Sequence, residues 1–92
     1  MIAVRLTRHL YSFFPHLEGV DLAVEGATVA EVVRALEVRA PGIGFYICDE
    51  LGRLRTHVNI FIGTRMVRDR RGLRDPVAPG DTVHILQALS GG

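Results

Sequence analysis

Thr28-Val29-Ala30-Glu31-Val32-Val33-Arg34-Ala35-Leu36-Glu37-Val38-Arg39-Ala40-Pro41-Gly42 carries the clearest periodic signal in the chain. Val29, Val32, Val33 and Leu36 fall at i, i+3, i+4 and i+7, one apolar stripe of a helix. Glu31, Arg34 and Glu37 fall on the other side. Thr28 suits the N-cap, and Glu31 three residues later completes a capping box. Pro41-Gly42 ends the helix near Val38 to Ala40, because proline lacks the N–H and glycine accepts a left-handed turn. The spacing predicts one long helix, from Thr28 to about Ala40.

The flanking segments read as strands. On the N-terminal side, Ile2, Val4 and Leu6 alternate with Ala3, Arg5 and Thr7 up to Arg8, a period of two that fits a half-buried strand. Leu10 to Phe14 runs into Pro15, and a loop follows through Gly19. Val20 to Val24 is then a second strand, paired with the first as a hairpin. On the C-terminal side, Phe45 to Cys48 reads as one arm of a short ribbon that turns through Asp49 to Gly52. His57 to Ile62 is rich in β-branched and aromatic residues, as strands are. Gly63-Thr64 turns into Arg65-Met66-Val67, and Pro79-Gly80-Asp81 turns into a last strand from Thr82 to Leu89. A hairpin followed by one helix that crosses a mixed sheet is an α+β arrangement of the β-grasp type. The expected division is a β-grasp domain over residues 1–88 and a flexible tail over 89–92.

At 92 residues the chain has room for one core. No apolar run approaches the roughly 20 residues a membrane helix needs. Arg5, Arg8 and His9 interrupt the N-terminal apolar residues, so no signal peptide is read there and a cytoplasmic protein is expected. Cys48 is the single cysteine, which excludes an internal disulfide and a Cys-cluster metal site. His9, His16, His57 and His84 lack zinc-type spacing. The net charge of +1 exerts no general pull on nucleic acid, and no membrane partner is expected. All eleven basic residues are arginine. The chain therefore offers no side-chain amine for acyl chemistry.

One charge cluster stands out: Arg65, Arg68, Arg70, Arg71 and Arg74, broken by Asp69 and Asp75. It reads as a solvated loop, as a surface for an acidic partner, or as a nucleic-acid contact, and the last lacks interleaved aromatics. In the final strand Val83, Ile85 and Gln87 share one face, while His84, Leu86 and Ala88 share the other. With the helix covering the first set, the second faces outward, and an exposed apolar sheet face suits a docking partner.

The chain ends on Leu89-Ser90-Gly91-Gly92. A terminal diglycine arises by chance in about one chain in two hundred, with Gly at roughly 7% of residues. Together with Val58-Asn59-Ile60-Phe61-Ile62, Gly72-Leu73 and Pro79-Gly80-Asp81-Thr82-Val83, this ending resembles the ThiS/MoaD family, the ubiquitin-like sulfur carriers of prokaryotes. Val58 to Phe61 and Ile85 to Gly92 are most similar to the members that serve thiocarboxylate-dependent cysteine synthesis. Gln87 stands where that segment has proline.

The resemblance implies a carrier and not an enzyme. It implies that the Gly92 carboxylate is adenylated by a ubiquitin-activating-type enzyme using ATP and Mg²⁺. A sulfurtransferase or sulfide source then converts it to a thiocarboxylate. The carrier itself binds no cofactor. The acceptor is a pyridoxal-phosphate cysteine synthase, or alternatively a molybdopterin synthase large subunit. A protein modifier joined through Gly92, or a ubiquitin-like binding module, is the reading from another class. The expected site is the sulfur-bearing terminus Gly91 and Gly92, with His84, Leu86, Ala88, Leu89 and Ser90 as docking residues. Two glycines suit such a terminus, since without Cβ atoms they thread a narrow channel. Leu89 to Gly92 reaches at most about 13–14 Å.

Overall fold

The computed structural model describes residues 1–87. In chain order the elements are β1 (Ile2–Leu6), α1 (Arg8–Phe13), a 3₁₀ turn (Pro15–Leu17), β2 (Ala23–Val24), α2 (Val29–Arg39), α3 (Ile43–Ile47), β3 (Val58–Ile62), β4 (Arg65–Met66) and β5 (Thr82–Gln87). The five strands form one sheet in the order β2-β1-β5-β3-β4. β1 and β5 run parallel at its centre, and every other pair is antiparallel. This is the mixed sheet with one main helix that defines a β-grasp.

α2 forms where its spacing predicts. Val29, Val32, Val33 and Leu36 are all buried against the sheet. The Thr28 hydroxyl accepts the Glu31 N–H at 3.2 Å, and the Glu31 carboxylate accepts the Ala27 N–H at 3.0 Å. The capping box thus closes one residue further upstream than the sequence pattern implies. Below α2, Val4, Val83 and Ile62 form one buried row across β1, β5 and β3, and Leu6, Ile85 and Ile60 form the next. Fully burying each such side chain contributes about 1.5–3 kcal/mol.

Two local expectations are corrected, and one segment the sequence left unassigned is helical. Phe45 to Cys48 is not a ribbon strand: Ile43–Ile47 is a short helix, and the ribbon shrinks to one bridge between Cys48 and Leu54. Gly42 adopts φ +101°, a left-handed geometry, and the Glu37 carboxylate accepts the Gly42 and Gly44 N–H groups at 2.7 and 2.8 Å. That start turns the chain, and the buried pair Ile43 and Ile47 sits at helical spacing. Glu37 therefore staples α2 to α3 instead of simply facing water. The segment before Pro15 is likewise helical, with Leu10 and Phe14 buried at i and i+4. The second strand is shorter than expected. A turn at Gly19 leaves Val20 exposed, and only Leu22 to Val24 meets β1.

The Arg-rich connection is organised by two acids. Asp75 is buried, and its carboxylate accepts the Arg68 and Asp69 N–H groups at 3.0 and 2.8 Å. Asp69 accepts the N–H groups of Arg71, Gly72 and Arg74 and pairs with the Arg74 guanidinium at 2.9 Å. Val29 and Ala30 then donate their N–H groups to the carbonyls of Asp75 and Leu73, docking the loop on the start of α2. The connection is a loop whose Arg68, Arg71 and Arg74 side chains are exposed, as expected, while its backbone is fixed by these two carboxylates.

Candidate docking face at the end of the last strand

α2 covers one face of the sheet; the other is open. Paired residues in neighbouring strands point to the same side, so register identifies what this open face presents. Arg5, His84, Phe61 and Met66 form one row across β1, β5, β3 and β4. Leu86 and Asn59 form the adjacent row, one step nearer the end of β5. Met66 is 49% exposed and Leu86 41% exposed, large values for apolar side chains on a sheet. The face offers an apolar strip of Phe61, Met66 and Leu86, edged by Arg5 and His84.

Of the expected site residues, His84 and Leu86 lie on this open face, and Val83 and Ile85 are buried on the opposite one. Gln87 follows Val83 and Ile85 and is half-buried. Ala88, Leu89, Ser90, Gly91 and Gly92 lie outside the described residues, as does the expected projection of the tail. Arg5, Phe61, Met66 and Asn59 were not singled out in the sequence. The period of two in each strand assigns them to one face, but only the pairing register joins the strands into a surface.

Beside the last described residue of β5, two side-chain oxygens are buried without a hydrogen-bond partner among the described residues: Thr7 Oγ1 and Gln87 Oε1. Both residues line one cleft of about 460 Å³, together with Arg8, His9 and Ser12. Buried polar atoms are partnered in the large majority of cases.

Cys48 is buried, and burial, then the neighbouring Asp49 charge, push its thiol pKa up, away from the reactive thiolate. Among the described residues no group of three or more His, Cys, Asp or Glu could hold a metal ion. No helix there is long and apolar enough to cross a membrane.

The sequence profile of the ThiS family matches residues 4–92. The chain belongs to the ThiS family. Among its relatives is the sulfur carrier protein CysO of Mycobacterium tuberculosis, 36% identical over 81 residues that cover 85% of this chain and 87% of the relative. The crystal structure of Mycobacterium tuberculosis CysO superposes with a TM-score of 0.82 at 32% identity, covering 97% of this chain and all of the other. The CysO found in the Amycolatopsis orientalis BexX/CysO complex gives 0.83 at 31% identity, with both chains fully covered. The small archaeal modifier protein SAMP1 of Haloferax volcanii shares the fold, with a TM-score of 0.73 at 23% identity. The family's carriers are small proteins and not enzymes.

Proposed function

We propose that this CysO-type sulfur carrier delivers sulfur as a thiocarboxylate formed on the Gly92 carboxylate, and that cysteine biosynthesis in the cytoplasm consumes it. The observation that carries the reading is a junction. Three residues separate the diglycine end from Gln87, the last residue of β5, and the open face of that strand presents Leu86 in an apolar strip with Phe61 and Met66. A partner gripping that face would have the terminus within about 13–14 Å of Leu89. The likeness to CysO carriers favours the cysteine pathway over molybdopterin synthesis.

The chemistry follows from the poor electrophilicity of a carboxylate. An oxygen of the Gly92 carboxylate attacks the α-phosphorus of ATP on an activating enzyme, and pyrophosphate leaves. Sulfide attacks the acyl carbon of the adenylate and expels AMP. Alternatively a protein persulfide does so, and a second thiol cleaves the resulting acyl disulfide, leaving the thiocarboxylate and a disulfide on the donor side. The resulting thiocarboxylate is a soft nucleophile for an activated amino-acid intermediate, such as one held on a pyridoxal-phosphate cysteine synthase. This chain supplies the leash, the docking face and the terminus, while acid–base and metal chemistry belong to the partners. The CysO of Amycolatopsis orientalis forms a complex with BexX, which supports carriage by docking on a second protein. The test is pyrophosphate release by the host's adenylating enzyme with ATP and Mg²⁺. Release should need the intact terminus. Removing Gly92 shortens the leash by up to about 3.5 Å and should abolish it. Release that persists without Gly92 would refute the reading.

A further inference from the structure

A second feature borders the same end of the sheet. Arg53, Arg55, Arg70, Arg71 and His57 line a cleft of about 440 Å³, with Asp49 as the acid among them. Asp49 is paired with Arg53 at 3.1 Å. Arg55, Arg70 and Arg71 meet no carboxylate among the described residues. Two of these guanidiniums are held in place by backbone oxygens. Arg55 Nε donates to the Phe45 carbonyl at 2.6 Å. Arg70 donates to the carbonyls of Arg55 and Val58 at 2.7 and 2.9 Å, and to Asn59 Oδ1 at 2.8 Å. A guanidinium carries five N–H donors, so Arg55 retains four and Arg70 two.

The position matters as much as the charge. Val58 pairs with Gln87, the last described residue of β5, and Asn59 pairs with Leu86. Arg70 therefore touches the partners of the last two described residues of β5, one of them on the open face. We propose that this cleft receives an acidic segment of the protein that docks on the open sheet face, its carboxylates taking the spare N–H groups of Arg55, Arg70 and Arg71. Planar guanidinium forks match carboxylates bidentately. Forks already fixed by carbonyls lose little side-chain freedom on binding. A nucleic acid is the poorer occupant: the lining holds no Phe, Tyr or Trp to stack a base, and the chain's net charge is +1. The inference rests on the carrier reading only in supposing that a partner docks on this face.

The test uses the full chain and a hexaglutamate peptide, followed by NMR at low salt. Shifts should saturate at His57 and at the side-chain N–H groups of Arg55 and Arg70, and vanish near 1 M salt, where the screening length is about 3 Å. Arg71→Glu reverses an exposed side chain that makes no hydrogen bond of its own among the described residues, and should weaken binding roughly tenfold. Thr56→Glu, which sets a carboxylate on the exposed rim of the cleft, should do the same. Arg39→Glu, an equal change of charge at the end of α2, should leave the affinity unchanged. Shifts scattered over the surface, or equal losses in all three variants, would overturn the proposal. So would a thymidine oligomer that displaces the peptide from these residues and binds more tightly. None of these outcomes depends on whether Gly92 can be loaded with sulfur.

Discussion

Leu86 lies directly opposite Asn59 in the antiparallel β3–β5 ladder, and Asn59 Oδ1 is held by the Arg70 guanidinium at 2.8 Å. An apolar contact residue and a fixed cation therefore stand side by side, next to Gln87, the last described residue of β5. Because Leu86 is 41% exposed and faces away from α2, replacing it should cost binding and not folding. Leu86→Glu is expected to raise the KM for the carrier in pyrophosphate release by roughly tenfold, the loss of a central apolar anchor at an interface. kcat and the thermal midpoint should change little. A large drop in the midpoint with an unchanged KM would move the docking face elsewhere.

Asp75 anchors the loop that carries Arg70 and Arg71. Its carboxylate holds the N–H groups of Arg68 and Asp69, and its carbonyl holds that of Val29. Asp75→Ala leaves two donors without their acceptor and should destabilise the protein by roughly 1–3 kcal/mol in chemical denaturation. A loss well below that range would mean that water replaces the carboxylate freely.

The same carboxylates give stability a sign with pH. Burial pushes Asp75 up, but the Asp69 and Arg68 N–H groups outweigh it and bring its pKa below the ordinary value. The Gly42 and Gly44 N–H groups lower Glu37, and the Arg74 guanidinium with the Gly72 N–H holds Asp69 well below the usual carboxylate range. In each case the unfolded chain binds the proton more readily than the folded one, so protonation favours unfolding. Stability from these groups is fully present above the unfolded carboxylate pKa, about 4, and is lost as pH falls through the lower folded values. Denaturation midpoints should be flat from neutral pH down to about 5 and fall below about 4. In Asp75→Ala the acid-side slope should be shallower.

Much of this arrangement was legible from spacing. The stripe from Val29 to Leu36 and its Thr28 cap identified the helix, and alternation in Val83 to Leu86 separated the buried from the open side. What spacing could not supply was pairing: Arg5, His84, Phe61 and Met66 form one row only because β1 and β3 both flank β5. Long-range side-chain capping was equally hidden. Glu37 starts α3 from a neighbouring helix, so a segment read as a ribbon arm folds as a turn of helix. The Arg-rich run is a loop, as its composition implied, but spacing did not show that Asp69 and Asp75 gather its N–H groups.

Cys48 provides a control on where sulfur goes. It is buried against the main core, and its thiol pKa is raised by burial first and by Asp49 second. In the folded protein at neutral pH it should react slowly with alkylating reagents, with the rate rising once denaturant exposes it. Cys48→Ala should leave pyrophosphate release and sulfur loading unchanged. Rapid alkylation of the native thiol would contradict this placement.

The most direct measurement is the intact mass of the protein after incubation with its adenylating enzyme, ATP, Mg²⁺ and sulfide, with fragmentation to locate any change. One sulfur should replace one oxygen, and the fragments should confine it to Gly92. The exchange should disappear without ATP and in a chain lacking Gly92. Sulfur found on Cys48, or a mass gain that survives loss of Gly92, would contradict the account.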